Sequence, residues 1–316
     1  MIGRGSRSVS SSPLPPQRRE ERSGEGGPAE ERRTAALLAA PAAAALAIVA
    51  LGPLVATAWL SLRRRVIVFG EDTFVGLENY ATLLADARFW NALWNTAYFT
   101  LVAVGAELLF ALPVALLLHR AARGRGALRT AVLLPWILPT VVAAKLWALV
   151  LQPDHGLLAR LLPGEGVAVL ASPTLALHAA ILVDVWKTTP FVALVLLAGL
   201  QAIPEDLSRA ARVDGASAWR IFRSITLPLL RPAIVLALLF RSLDAFRVFD
   251  ALFVLTEGGP GHTTESLSLY AYKTLLRAGS FGLGSALSLV TFLCVVLLGL
   301  LWLRALGERR GREALR

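Results

Sequence analysis

Several residue types and motifs that mark enzymes are scarce or absent in this chain. Cysteine occurs once, at Cys294, so no internal disulfide can form and redox chemistry has no support. No Gly-Lys dipeptide occurs, which excludes a Walker A phosphate loop, and the patterns His-Glu-x-x-His and Gly-x-Ser-x-Gly are also missing. The four histidines are scattered along the sequence. We therefore predict no catalytic function, no metal site and no cofactor.

What the chain does contain is long runs of hydrophobic residues. These residues make up 56% of the sequence, and the mean hydropathy is positive. An α-helix needs ~20 apolar residues to cross ~30 Å of hydrocarbon. The runs predict an all-α, polytopic membrane protein with six transmembrane helices, over residues 34–62, 91–118, 130–152, 173–203, 225–256 and 281–303. The first and last of these runs carry no charged residue.

The net charge of +10 comes almost entirely from arginine. Such a balance often accompanies nucleic-acid binding. Here, however, the basic residues concentrate in the segments that are cytoplasmic if the N-terminus is inside, as the positive-inside rule requires. The run Arg63-Arg64-Arg65, just outside the first span, is the exception. We therefore predict no nucleic-acid partner, contact with membrane lipid, and both termini in the cytoplasm.

Composition also divides the segments outside the spans. Residues 1–33 are rich in Ser, Pro, Gly, Arg and Glu, which predicts a disordered cytoplasmic tail. Residues 63–90 are predicted to form an external loop, and residues 304–316 a second cytoplasmic tail.

A short polar segment separates the fourth and fifth predicted spans. Pro204 precedes two acids, and small or apolar residues recur at helical spacing, so the pattern predicts an amphipathic helix over residues 205–222 at the membrane surface. Its small-residue face would let another protein approach closely. An interfacial helix that lies on lipid is the alternative.

The same segment contains Arg209-Ala210-Ala211, then Gly215, then Ile225-Thr226-Leu227-Pro228. This spacing resembles the signature of ABC-importer permeases, in which the loop docks onto a separate ATPase subunit. Further motifs resemble the sugar-permease branch, similar to the maltose and glycerol-phosphate importers: Val75-Gly76-Leu77-Glu78-Asn79-Tyr80, Asn95-Thr96, Leu133-Leu134-Pro135-Trp136, Leu200-Gln201-Ala202-Ile203-Pro204 and Thr256-Glu257-Gly258-Gly259-Pro260-Gly261. One position departs, because Arg209 stands where the family has glutamate.

The resemblance implies a type I ABC-importer permease fold, with the permease domain over residues 91–303 and a coupling helix over 205–222. It places the ATPase-coupling role on Arg209, Ala210, Ala211, Asp214, Gly215, Ile225, Leu227 and Pro228. It implies no ATP hydrolysis by this chain. The implied partners are a second, homologous permease in a heterodimer, an ATPase dimer and an extracytoplasmic solute-binding protein. The implied location is the bacterial cytoplasmic membrane.

Charged residues inside the predicted spans form a second informative set, because each costs about 3 kcal/mol or more at mid-bilayer unless it is paired or hydrated. Alternating charges at three-residue spacing from Arg241 to Asp250 predict pairing along one helix, and Asp184 with Lys187 does likewise. They form either structural ion pairs or a polar cavity that binds sugar hydroxyls. The resemblance to maltose-type permeases places the substrate path at Trp136, Thr140, Asp184, Thr188, Asp244 and Arg247.

The function that the resemblance implies is sugar import by alternating access, powered in trans by ATP-driven movement of the 205–222 helix as a rigid lever. Three other functions remain open from the residues alone. An ion-coupled secondary transporter would use Asp184 or Asp244 as a proton or cation site, and an ABC permease could carry a non-sugar solute. A membrane scaffold without transport would depend on the loops rather than on the intramembrane charges.

Overall fold

The computed structural model describes residues 28–120, 125–153, 156–157 and 168–313. The chain divides into two compact units, Met1–Leu54 and Val55–Arg316. Helix α1 (Pro28–Ser61) makes up the described part of the first unit and continues into the second. It begins before residue 34, so the last residues of the predicted N-terminal tail are helical. The rest of that tail lies outside the described residues.

The second unit is mainly helical. Its elements are β1 (Arg63–Val66), β2 (Glu71–Phe74), α2 (Glu78–Ala85), α3 (Ala87–Arg120), α4 (Arg125–Ile137), α5 (Thr140–Val150), α6 (Leu175–Gln201), α7 (Glu205–Val213), α8 (Ala218–Ile221), α9 (Leu227–Ala245), α10 (Asp250–Leu255), α11 (Leu267–Tyr272) and α12 (Phe281–Glu313). Two π-helical turns, Phe222–Thr226 and Lys273–Arg277, precede α9 and follow α11. Because α12 continues to Glu313, the predicted tail from residue 304 is helical up to that point.

Five helices in the described part are long and apolar enough to cross a membrane: Arg32–Ser61, Ala87–Arg120, Leu175–Gln201, Ala218–Ala245 and Phe281–Arg304. The third predicted span differs. It is broken into Gly126–Ile137 and Thr140–Val150, which meet at 90°. Pro139 at this break is extended, with φ −55° and ψ 137°, and a proline also pushes the residue before it away from helical geometry. Six spans result only if this bent pair counts as one.

The fifth predicted span also ends earlier than the apolar run. Helix α9 stops at Ala245, and α10 begins a separate short helix at Asp250. The predicted pairing of Arg247 with Asp250 along one helix is therefore wrong, because Arg247 lies in the turn between α9 and α10. Periodicity could not reveal this break, since no proline or glycine marks it.

The prediction of an all-α fold missed one β-hairpin. Strands β1 and β2 pair antiparallel, from Arg63 opposite Phe74 to Val66 opposite Glu71, and a 3₁₀ turn joins them. The turn ends at Gly70, whose φ of 64° is left-handed and suits glycine. The predicted external loop over 63–90 is thus an ordered hairpin followed by α2.

Two arginines of the run Arg63-Arg64-Arg65, the exception to the positive-inside rule, form ion pairs with nearby acids. Arg63 Nε donates to Asp72 Oδ1 over 2.7 Å across the strands, and Arg64 pairs with Glu78. Two of the three charges are therefore neutralised locally, which reduces the electrostatic conflict with an external location.

The centre of the bundle lies where α3 and α9 pack against α6. One buried cluster groups residues of α3, α5 and α6 with the segment from α9 to α11, around Phe99, Val183 and Leu252. A second groups α3, α6 and α9 around Leu118, Leu196 and Leu230. Gly199 allows α6 and α9 to come close, because a Cβ there would lie 2.5 Å from the Cβ of Ala233. These contacts fix the helices that carry the intramembrane charges.

Candidate functional site

A buried ion pair joins α3 to α9. Arg241 Nε donates to Glu107 Oε2 over 2.6 Å, and Arg241 Nη2 donates to Glu107 Oε1 over 2.7 Å. The side chains are 4% and 0% exposed. Such a bidentate contact is among the strongest between side chains, and it allows a charge pair to persist away from water.

Two further carboxylates converge on the same guanidinium. Asp184 Oδ2, on α6, accepts a hydrogen bond from Arg241 Nη2 over 2.9 Å, and Asp244 pairs with Arg241 along α9. The Thr188 hydroxyl donates to Glu107 Oε1 over 2.8 Å. We call Glu107, Asp184, Thr188, Arg241 and Asp244 the polar cluster. It connects three helices that are far apart in sequence.

Exposure rises steadily across the polar cluster. The exposed fraction of the side chain is 0% for Glu107, 14% for Asp184 and 64% for Asp244. The cluster therefore runs from the core to an accessible surface. The inner end is a structural ion pair, whereas the outer carboxylates can accept hydrogen bonds from a polar solute.

The ion pairs of this cluster run both along α9, from Arg241 to Asp244 as the three-residue spacing predicts, and between helices. The predicted Asp184–Lys187 pair does not form, because Asp184 faces Arg241 on α9 instead. Arg241 is also the centre of the cluster, because Glu107, Asp184 and Asp244 all pair with it. The long arginine side chain can reach a neighbouring helix, which a rule based on spacing within one helix does not include.

Trp136 extends the site along α6. Its ring stacks on Phe191, with centroids 5.9 Å apart and planes at 27°, and it is 44% exposed. Phe191 follows Asp184 by seven residues, so both lie on the same face of α6. Thr140 lies across the 90° bend from Trp136, as the first residue of α5. A flat apolar ring near hydrogen-bonding carboxylates suits a sugar, which has both kinds of surface.

The side chain of Arg247 lies outside the polar cluster. It lines an open, mainly apolar groove of about 760 Å³, together with residues of α11, the following π-helical turn and α12. Among the residues predicted for the substrate path, the structure thus brings Asp184, Thr188 and Asp244 together. It packs Trp136, on α4, against Phe191 on the same face of α6. Arg247 is linked to this group through its backbone, whose N–H donates to Asp244 O over 3.1 Å, whereas its side chain lines the groove.

The predicted coupling helix over 205–222 is two helices rather than one. Helix α7 ends in a Schellman motif, in which Ala216 N–H bonds to Ala211 O over 2.9 Å and Gly215 N–H bonds to Arg212 O over 3.1 Å. Gly215 has φ 78°, and Ser217 caps α8 through its hydroxyl. The glycine therefore turns the chain between the helices, so the segment is not a single straight lever.

Arg209 is neutralised within α7. It donates to Glu205 Oε2 over 2.7 Å and to Asp206 Oδ1 over 3.1 Å. The hydrogen bond from Arg209 holds the pKa of Glu205 below its ordinary value. All three side chains are mostly exposed, so this network stiffens the first turns of α7 without being buried.

The remaining predicted coupling residues fall into two groups. Ala210, Asp214 and Gly215 are exposed, with Ala211 half-buried beside them. Ile225, Leu227 and Pro228 are half-buried in the π-helical turn and the first turn of α9. The second group shapes the connection to α9 rather than an open surface.

A second buried network holds the turn that contains Gly258-Gly259-Pro260-Gly261. Glu265 is fully buried and accepts from Arg88 Nε over 2.6 Å, from Arg88 Nη2 over 2.8 Å and from Lys273 Nζ over 2.8 Å. Asn95 donates to Glu265 O over 3.2 Å. The sequence motif identified the turn, but not the carboxylate that ties it to α3.

The family is decided by a match over residues 107–312 to the description "Binding-protein-dependent transport system inner membrane component". The chain belongs to this family. The matched residues include the whole polar cluster and helices α7 and α8.

Individual relatives of this transport-system component are similar over most of their length. The trehalose/maltose transport system permease protein MalF of Thermococcus litoralis is 45% identical over 261 residues, covering 82% of this chain and 88% of the relative. The trehalose transport system permease protein SugA of Mycobacterium tuberculosis is 46% identical over 256 residues, covering 81% and 82%. The sulfoquinovosyl glycerol transport system permease protein SmoG of Agrobacterium fabrum is 38% identical over 259 residues, covering 81% and 83%.

Solved structures support the same fold for this component. A chain of a bacterial alginate ABC transporter, in complex with alginate pentasaccharide-bound periplasmic protein, aligns with TM-score 0.75 at 22% identity, over 86% of this chain and 93% of that chain. A chain of the MetNI methionine ABC transporter aligns with TM-score 0.54 at 18% identity, over 69% and 94%. At these identities the similarity concerns the fold alone.

Proposed function

We propose that this chain is the permease subunit of an ATP-driven importer that moves a sugar from an external binding protein across the bacterial cytoplasmic membrane. The observation that carries this proposal is the polar cluster, which lies in helices apolar enough to span a membrane. The exposed fraction of its carboxylates increases from Glu107 to Asp244. The similarity of the chain to permeases named for trehalose and maltose supports a sugar as the substrate.

In this proposal the outer carboxylates and the Trp136–Phe191 stack form part of the substrate path. Asp184 and Asp244 accept hydrogen bonds from sugar hydroxyls, and the aromatic rings cover an apolar face of the sugar. Thr188 donates to Glu107, Glu107 holds Arg241, and Arg241 in turn orients both aspartates. Arg247 remains a predicted residue of the substrate path. A sugar in the path would reach it only if the groove that Arg247 lines opens toward the polar cluster in another conformation of the transporter.

The partners proposed are a second permease, an ATPase dimer and an extracytoplasmic solute-binding protein. If the bent α4–α5 pair counts as one of six spans, both termini and the α7–α8 segment lie on the same side of the membrane, and the positive-inside rule makes that side the cytoplasm. ATP-driven closure of the ATPase dimer then moves α7 and α8 and switches the path between inward-facing and outward-facing states. Family membership disfavours an ion-coupled secondary transporter, and ATP hydrolysis falls to the separate subunit.

The path assignment is tested by cysteine labelling after Cys294→Ser. Asp244→Cys and Trp136→Cys should react with a water-soluble thiol reagent, and the transported sugar should slow both reactions. Leu101→Cys is the matched control, because Leu101 is 76% exposed in α3 but should face lipid. If cysteine at 244 stays unreactive in every nucleotide state, the polar cluster does not border the path.

A further inference from the structure

The tip of the β1–β2 hairpin exposes three consecutive apolar side chains. Ile67, Val68 and Phe69 form the 3₁₀ turn between the strands, and they are 58%, 73% and 77% exposed. Phe74, at the far end of β2, is exposed as well. None of these residues belongs to a spanning helix, so the lateral contact of such helices with lipid does not explain their exposure. An apolar patch of this kind marks a surface that contacts either a protein or a membrane.

Hydrogen bonds hold this tip at the start of α12. The N–H of Ile67 donates to Gly279 O over 3.0 Å, and Val66 forms an antiparallel bridge with Ser280. Val68 lies against Gly279, because a Cβ on that glycine would lie 3.2 Å from Val68 Cγ2. Helix α12 begins directly after Ser280 and is long and apolar enough to span a membrane. The tip therefore lies where a span begins, and not on a free arm far above the membrane.

The base of the hairpin is tied to the end of another span. Helix α1 ends at Ser61, and Asn79 Nδ2 donates to Ser61 O over 2.7 Å and to Arg63 O over 3.0 Å. Strand β1 also packs directly on the first turn of α12, because a Cβ on Gly282 would lie 1.8 Å from Arg63 O. The hairpin thus connects the end of one span with the start of another. Both ends lie at the same membrane surface, so the hairpin lies along that surface.

Exposed tryptophans mark the headgroup level at these helix ends. Trp59, in the last turn of α1, lies against Phe74 with ring centroids 6.1 Å apart, and the Arg63 guanidinium lies 5.8 Å from the centroid of the Trp59 ring. Trp90 and Trp94, near the start of α3, are exposed too. Tryptophan favours the membrane–water interface, and an arginine beside it extends its charge to the headgroups. The hairpin between α1 and α3 therefore lies at the level of the interface.

We propose that the hairpin is a lipid anchor, in which Ile67, Val68 and Phe69 insert into the boundary between the headgroups and the acyl chains of the adjacent leaflet. Insertion removes three apolar side chains from water, which is the main driving force of interfacial binding. The contact lies outside the polar cluster and the α7–α8 segment. It therefore does not depend on the transported solute or on the ATPase.

Apolar insertion, rather than charge, accounts for this anchoring. Residues 63–74 contain three arginines and two acids, which leaves a net charge of +1. Arg63 pairs with Asp72 and Arg64 with Glu78, so only Arg65 of this run has no ion pair with the residues that the structure describes. Attachment to anionic lipid takes a cluster of several free basic residues. The anchor should therefore insert into neutral lipid.

A lipid leaflet suits the tip better than a soluble protein partner does. A soluble partner that binds and dissociates would return three adjacent apolar side chains to water in every cycle, whereas a leaflet covers them at all times. The hydrogen bond from Ile67 to Gly279 also keeps the tip at the level of the membrane surface, where lipid is the surface that it meets.

The test measures the surroundings of single labelled cysteines in the full chain, assembled with its partner permease in phosphatidylcholine nanodiscs. Val68→Cys and Phe69→Cys, each in a Cys294→Ser background, carry a small fluorophore. Lipids with a nitroxide near the headgroup should quench both labels. Aqueous iodide should quench each of them at least about threefold less than a label on Thr73→Cys, because insertion by ~5–10 Å removes the label from water. Thr73→Cys is the matched control, since Thr73 is exposed in β2 of the same hairpin.

Three other outcomes would overturn the inference. Iodide quenching at positions 68 and 69 as strong as at position 73 would place the tip in water. Iodide quenching that disappears only when the extracytoplasmic binding protein is added would assign the tip to that protein. Protection from both iodide and the nitroxide lipids would show that another subunit covers it. Sugar uptake is measured separately, so each of these outcomes leaves the proposed function standing.

Discussion

Arg241 of α9 and Glu107 of α3 form a bidentate ion pair across 134 residues of sequence, at a site where both side chains are almost completely buried. Thr188 fills a further acceptor site on Glu107, and Asp184 and Asp244 share the guanidinium. The pair therefore does two things at once. It fixes α3 against α9, and it holds the two aspartates that border the proposed path.

Loss of Arg241 should cost more stability than loss of the Glu107 charge. Arg241→Met leaves the carboxylate of Glu107 buried without a cation, which should lower the free energy of unfolding by about 3–5 kcal/mol. Glu107→Gln should be milder, because Arg241 keeps Asp184 and Asp244. Denaturant unfolding of the solubilised protein measures both. Equal losses in the two variants would show that Arg241 gains little from the aspartates.

Neutralising the outer carboxylates should impair transport and spare assembly. Asp184→Asn and Asp244→Asn keep the side-chain shape but weaken hydrogen bonding to sugar hydroxyls, so we expect uptake to fall about tenfold for each. Asp250→Asn, an exposed aspartate outside the polar cluster, is the control. Uptake assays and co-purification of the complex provide the two readouts. Loss of co-purification would instead indicate that these carboxylates only hold the bundle together.

Gly215 is required for its backbone conformation, not for space within the chain. No atom lies within 4 Å of a Cβ built there, but φ is 78°. Gly215→Ala should therefore lower stability by about 1–2 kcal/mol without unfolding the protein. Gly215→Asp should abolish transport while membrane insertion stays intact, because it adds a charge where the proposed ATPase partner would approach. Transport at the wild-type rate by the aspartate variant would argue against docking at this turn.

The turn that Glu265 holds should lose stability in acid. Burial alone would raise the pKa of this carboxyl, but hydrogen bonds from Arg88 and Lys273 outweigh it and hold the pKa below its ordinary value. A depressed pKa stabilises the fold above the unfolded-state pKa of about 4.3, and this contribution is lost as the pH falls through the folded value.

Glu265→Gln should consequently lower the unfolding temperature by several degrees at pH 7. The difference from wild type should shrink below about pH 4, where the wild-type carboxyl also becomes neutral. Glu71→Gln, an exposed position in β2, is the control. A difference that stays constant down to pH 3 would contradict the ionic role of Glu265.

The membrane architecture and the family could be predicted from the sequence because apolar runs and short motifs are local. The polar cluster was predicted only in part. Asp184, Thr188 and Asp244 were placed by resemblance, but the central pairing of Arg241 with Glu107 depends on how α3 and α9 pack, which no spacing rule contains. The break after Ala245 has no proline or glycine to mark it, so only tertiary packing reveals it. The hairpin at Arg63 does have a local signal, because its turn ends at Gly70.

The most direct test of the central claim is sugar uptake into proteoliposomes that contain this chain with its partner permease, its ATPase and the binding protein. Trehalose and maltose, the sugars in the names of the relatives, are the first substrates to try. The account predicts uptake that requires ATP, persists when all ion gradients are collapsed, and is absent when the chain is reconstituted alone. Uptake by the chain alone, driven by a proton or sodium gradient, would contradict it.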